Sequence, residues 1–259
     1  MTPQSWLTRN LRRAILALAT APLSLAAWLL VKTCSPRRAY RGAVRFVAIL
    51  YPWVALLYSQ LHPQKLRRDR RGIILQWMFG VMSRHGFVDP DVRVENLAAI
   101  RRRIGEGHGV ILCTAHTGLT MVMFSVLERE GWDNVLISKG SGHGWNWGCR
   151  KPIRFIRPGG DSLLKLRRYL RQGTVAVIYP DTLPLYEGPQ TVVISPNLFR
   201  FARVTGTPLP YYDARLAADG AIAIAIVEPA TGDAEEFASF VAERTGWQTA
   251  VGRTPKIAD

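Results

Sequence analysis

The chain contains only three cysteines, Cys34, Cys113 and Cys149, in 259 residues. The set is odd in number and has no CxxC spacing, which speaks against a disulfide framework and against a cysteine-ligated structural zinc site. Acids are also scarce, 19 Asp and Glu against 34 Lys and Arg, for a formal net charge of +15. Charged residues make up 20% and hydrophobic ones 48%, too apolar a balance for a disordered polyelectrolyte. A mean hydropathy of +0.03 is too low for a multi-span transporter. No internal repeat and no low-complexity tract is visible. What remains is a globular chain long enough for one large α/β domain, with an affinity for something anionic.

The charge is lopsided. Residues 1–103 carry 18 basic and 4 acidic side chains, and residues 104–259 carry 16 and 15. Nearly all the excess therefore sits in the first two fifths, as a basic accessory segment meeting a polyanion would require. Within it, Ala14 to Val31 is an uncharged run of 18 residues, flanked by Arg9, Arg12 and Arg13 and by Lys32, Arg37, Arg38 and Arg41. That length is at the lower limit for spanning a bilayer. It exceeds a secretory apolar core and lacks a small-x-small cleavage site, so a retained anchor is expected, either spanning or interfacial. A second uncharged run, Phe46 to Leu61, is rich in Tyr and Trp and precedes the basic cluster Lys65 to Arg71. It fits a headgroup layer, and Val47, Leu50, Val54 and Leu57 fit helical core contacts equally well. Nucleic acid is not expected as a partner, because no recognition helix, zinc finger or aromatic RNA-binding strand accompanies the basic cluster.

From about residue 90 the pattern changes. Short apolar runs, VILCTA (110–115), NVLIS (134–138) and TVAVIY (174–179), alternate with helical stretches such as 119–130 and 162–173. Further helices are expected at 197–204 and 233–243, and strands at 208–215 and 221–227. This alternation predicts an α/β fold, a central mixed β-sheet flanked by helices, over residues 91–259. Residues 1–90 are expected to form basic, apolar, membrane-associating helices.

Two strand ends present chemistry. His116 directly follows VILCTA, and Asp181 lies two residues beyond TVAVIY, in the sequence YPDT. Ligands of open α/β sheets gather at the carboxyl ends of strands. A carboxylate that reaches one ring nitrogen of His116 fixes its tautomer and frees the other nitrogen to act as a base. His116 and Asp181 are also ordinary turn residues in such sequences. The loop KGSGHGWNWGCR holds His143 among tryptophans, and Arg150, Arg154 and Arg157 follow it as candidates for an anionic group on the substrate; packing and a general basic face account for them equally well. Neither a metal nor a cofactor is expected.

The blocks VRVENLAAIRRRIGEGHGVILCTAHTG, LRRYLRQGTVAVIYPDTLPLYEGP and ARVTGTPLPYYDARLAADGAIAIAIVEP resemble, in order and spacing, those of the bacterial lipid A biosynthesis acyltransferases of the lysophospholipid acyltransferase superfamily. The likeness covers about residues 90–230. It implies a glycerolipid acyltransferase-like fold and transfer of a fatty acyl group from acyl carrier protein to a hydroxyl of a membrane lipid. It also implies an anionic membrane surface as partner, at the cytoplasmic face of the inner membrane. The family signature is a His followed after four residues by an acid. His116 matches the histidine, and the acidic position falls on Met121. Asp181 matches a later Pro-Asp or Pro-Glu motif. The expectation is an acyltransferase with His116 as base and Asp181 in place of the missing acid. The alternative is a catalytically degenerate relative that binds lipid or a partner protein.

Overall fold

The alternation of apolar and mixed runs folds into two sheets in the computed structural model, which describes residues 21, 23–61, 70–138, 148–182 and 191–252. Three helices come first: α1 (residues 23–33), α2 (Pro36–Leu61) and α3 (Arg70–Met82). Then follow β1 (Val92–Glu95), α4 (Leu97–Gly105), β2 (Val110–Cys113), a 3-10 turn η1 (Thr120–Val122) and α5 (Met123–Arg129). β3 (Asn134–Ile137), β4 (Arg154–Ile156), α6 (Ser162–Leu170), β5 (Val175–Ile178), β6 (Asp181–Thr182) and β7 (Thr191–Ile194) continue the chain. It closes with α7 (Asn197–Thr205), β8 (Tyr211–Leu216), β9 (Ile222–Val227), α8 (Ala234–Thr245) and β10 (Gln248–Val251).

The main sheet has seven strands in the order β1-β9-β8-β2-β5-β3-β4. β8, β2, β5, β3 and β4 run parallel, whereas β8 and β9 pair antiparallel and β1 follows β9, so the sheet is mixed as expected. β2 and β5 are buried along their whole length, the mark of strands covered on both faces. Their residues divide by alternation. Val110, Leu112, Val175 and Val177 point into one core with α1, α2, α3 and α5, and Ile111, Cys113, Ala176 and Ile178 point into the other with α6, α7 and α8. Each such aliphatic side chain contributes about 1.5–3 kcal/mol on burial.

The amino-terminal helices share the first of these cores. On α2, Ala39, Tyr40, Ala43 and Val47 are buried and Leu50 packs against them. The Tyr40 hydroxyl donates to the Gly220 carbonyl in the turn between β8 and β9, at 2.5 Å. The core reading of Val47 and Leu50 therefore applies, while Val54 and Leu57 lie where side chains are not described. The opposite stripe of α2, Arg38, Arg41, Arg45 and Ile49, is exposed, as are Leu25, Trp28 and Leu29 on α1. No described helix is long and apolar enough to cross a membrane. Residues 14–20 of the first uncharged run, and Lys65 to Asp69 of the basic cluster, lie outside the described residues.

The second sheet is small, with the order β10-β7-β6. β6 pairs antiparallel with β7, placing Asp181 opposite Ile194. Two glycines set the frame beneath the site. Gly109 lies against the backbone of Leu170, so β2 starts where α6 ends. Gly173, at φ +76°, reverses the chain between α6 and β5.

Candidate active site

His116 leaves the carboxyl end of β2. Thr114 N–H extends the strand ladder by donating to Ile178 O of β5 at 3.1 Å, Ala115 is buried, and Thr117 N–H turns back onto Ala115 O at 2.7 Å. This tight turn lifts the imidazole out of the sheet. Three residues on, Leu119 adopts φ +67° with its side chain fully buried. The left-handed conformation costs a branched residue about 1–2 kcal/mol, and burial of the leucine offsets it. Strain of this kind is concentrated at functional loops.

Asp181 arrives from the second sheet. Ser195 N–H donates to Pro180 O at 3.0 Å and holds the β6 end against β7. The Asp181 side chain is fully buried, and the His116 side chain is 42% exposed. Both carboxylate oxygens are used on the histidine: Oδ1 lies 2.9 Å from Nδ1, and Oδ2 accepts the His116 main-chain N–H at 3.1 Å. An ionised carboxylate only accepts, so Nδ1 carries the proton and donates. Nε2 keeps its lone pair and has no hydrogen-bond partner among the described residues. The pair expected from sequence, His116 and Asp181, is brought together although 65 residues separate them.

A polar shell not read from the sequence surrounds this pair. The Tyr179 ring lies 4.4 Å from the imidazole centroid, tilted by 32°. Its hydroxyl is 3.2 Å from Thr120 Oγ1, and Tyr212 donates to Thr120 O at 3.0 Å. Burial pushes the Tyr179 phenol up to about 12 and raises that of Tyr212 well above its ordinary value, so both remain protonated hydrogen-bonding groups. Thr117 Oγ1 donates to Asp213 Oδ1 at 3.4 Å, and Asp213 Oδ2 accepts from Arg215 Nε at 2.6 Å. An acid inside the apolar strand PYYDARL was the available signal for Asp213. Tyr179, one residue before the Pro-Asp motif, had no signal beyond its strand-end position.

The two buried thiols are not activated. Cys113, next to the site, is fully buried and pushed well above the ordinary thiol value by burial and then by the Asp181 charge. Burial pushes Cys149 up to about 12. Neither is poised as a nucleophile near neutral pH.

No protein-family model matches this chain, and no curated protein matches it. The site is therefore read from its own geometry.

The remaining candidates are dispersed. Arg154 opens β4, opposite Val135 near the start of β3, and pairs with Asp133 at 3.4 Å. This is the amino end of the parallel strands, away from His116. Arg150 stacks its guanidinium 5.0 Å over the Phe87 ring, and its main-chain N–H donates to Glu128 near the end of α5. Arg157 is exposed just beyond Ile156, which pairs with Ile137 at the carboxyl end of β3. It stands at the same end as His116, three strand positions from β2, roughly 14 Å by strand spacing. His143 lies outside the described residues. Met121 sits in η1, partly buried against the core of the first face.

Proposed function

We propose that this chain is a membrane-associated acyltransferase that moves a fatty acyl group from a thioester, carried by acyl carrier protein, to a hydroxyl or amine of a lipid acceptor. The observation that carries the reading is the two-point grip of Asp181 on His116, which fixes the tautomer with Nε2 free. In this reading Nε2 takes the proton from the acceptor hydroxyl as the oxygen attacks the thioester carbonyl. Asp181 stabilises the imidazolium that forms. The tetrahedral intermediate collapses by breaking the C–S bond, and the departing sulfur takes the proton back from Nε2. The donor is already activated, so proximity and proton transfer account for most of the required acceleration.

The membrane part of the reading is supported by the exposed Leu25, Trp28 and Leu29 on α1 and by the stripe Arg38, Arg41, Arg45 and Ile49 on α2. Apolar and basic groups side by side suit an anionic interface. In this reading the surface meets the inner membrane, with the site on its cytoplasmic side. The test is transfer of a labelled acyl chain from acyl carrier protein to a lipid extract. His116→Ala is expected to abolish it, and undiminished transfer by that variant overturns the reading. A second reading, a catalytically silent lipid-binding protein, is favoured by Met121 at the position where the resemblance calls for an acid.

A further inference from the structure

The solvent side of α6 carries a stripe that the fold does not use. Leu164, Arg167, Arg168 and Arg171 follow one another at i, i+3, i+4 and i+7, which puts all four on one helix face. Leu166 and Leu170 are buried on the other side, against the strands. Leu164 is 70% exposed. With Gln172 these residues line a shallow groove of about 370 Å3. Lys165, beside the stripe, is paired with Asp161 at 2.7 Å, but none of the three arginines forms an ion pair among the described residues. Basic side chains at a helix carboxyl end complement its dipole, which accounts for Arg167 and Arg168 but not for an exposed leucine one turn before them.

The placement of α6 narrows the occupant. It packs on the face of the main sheet opposite α1, α2 and α3. A bilayer that meets the exposed side of α1 and α2 is separated from α6 by the whole sheet, so whatever covers α6 comes from the aqueous side. α6 also follows β4 and starts at the sheet end where His116 opens, then runs about 13.5 Å toward the other end.

We propose that this face of α6 is the docking surface for an acidic protein, the carrier that delivers the acyl thioester; the identity of the carrier rests on the function proposed above. Three arginines that form no ion pair among the described residues steer an acidic partner and fix its orientation, and Leu164 supplies an apolar contact at one end of the stripe.

The experiment titrates fluorescently labelled acylated acyl carrier protein onto the full chain at low salt and at roughly 0.15 M salt. Binding to the unmodified chain is expected to weaken with salt. The triple variant R167E/R168E/R171E is expected to bind at least about tenfold more weakly at low salt, and an Arg→Gln triple variant to fall between, should charge reversal disturb α6. Transfer from an N-acetylcysteamine thioester, which brings no protein to dock, stays unchanged in both. The proposal is overturned if the triple variant binds the carrier as the unmodified chain does, if the unmodified chain does not bind it, or if the lost binding is to phosphatidylglycerol vesicles and not to the carrier. Arginine-dependent carrier binding without transfer from any thioester sinks the acyltransferase reading and leaves the docking surface standing.

Discussion

Replacing Asp181 with Asn changes one atom of the site and is expected to block the base by a route the geometry dictates. The His116 main-chain N–H is a fixed donor 3.1 Å from Oδ2. An Asn oxygen must therefore stay on that side, which turns the amide NH2 toward Nδ1, where Oδ1 now stands at 2.9 Å. Two donors cannot face each other, so Nδ1 becomes an acceptor and the ring proton moves to Nε2. Nε2 then has no lone pair for the acceptor hydroxyl. In hydrolases with a comparable His–Asp arrangement, this exchange costs about 10⁴ in kcat with little movement of atoms. A loss of the same order is expected here, with stability lowered by about 1–3 kcal/mol from the poorer partner for a buried group. Two assays read it: single-turnover acyl transfer from acyl carrier protein, and the ¹⁵N chemical shifts of the His116 ring, which report the tautomer without requiring turnover. Transfer within about twofold of the unmodified chain, or a ring still protonated at Nδ1, refutes the reasoning.

Three further outcomes follow from other parts of the fold. Met121→Glu restores the acid expected from the resemblance, yet Nδ1 is already occupied by Asp181 and position 121 is packed against the core. No gain in transfer and a loss of about 1–3 kcal/mol on thermal unfolding are expected, and a tenfold gain contradicts the substitute pairing. Gly109→Ala places a methyl 2.5 Å from the Leu170 Cα and onto its carbonyl oxygen, which forces α6 off the start of β2. Destabilisation by about 1–3 kcal/mol is expected in denaturant unfolding, and an unchanged midpoint counts against this contact. Glu236 accepts from the main-chain N–H groups of Ala230, Thr231 and Gly232 at 2.7–2.8 Å ahead of α8. Burial raises its carboxyl, but these donors outweigh that and hold it below the usual range. Its stabilisation is therefore present above the unfolded carboxyl value, about 4.3, and is lost as pH falls through the lower folded value. Glu236→Gln is expected to lower the melting temperature by about 2–4 °C at pH 7 and to match the unmodified chain in acid; a gap that persists at low pH refutes the assignment.

Apolar runs were enough to locate β2, β3, β5 and β9: β2 and β5, buried on both faces, have nearly continuous aliphatic sequence, and β3 and β9 are apolar runs of the same kind with partly exposed positions. Helical periodicity likewise located α6, α7 and α8, whose buried leucine, phenylalanine and valine positions repeat at helical spacing. β4, β6 and β10 were not anticipated, since they have two to four residues and take their form from their neighbours. His116 and Asp181 stood out for the same reason as the long strands did: each lies just past an apolar run, at the end where ligands gather.

Chain order alone says nothing of which residues from distant segments meet, and this separates the two sources of knowledge about the molecule. Local pattern is written in neighbouring residues, so strand and helix positions, the charge imbalance and the two strand-end candidates can be read along the chain. Contact across 65 residues depends on strand order and on how β6 is held by β7. Folding therefore decided that Asp181 reaches the main-chain nitrogen and Nδ1 of His116 and that Tyr179 flanks the ring. It also set Arg150 and Arg154 toward the far end of the sheet, because a parallel strand carries its first and last residues to opposite edges.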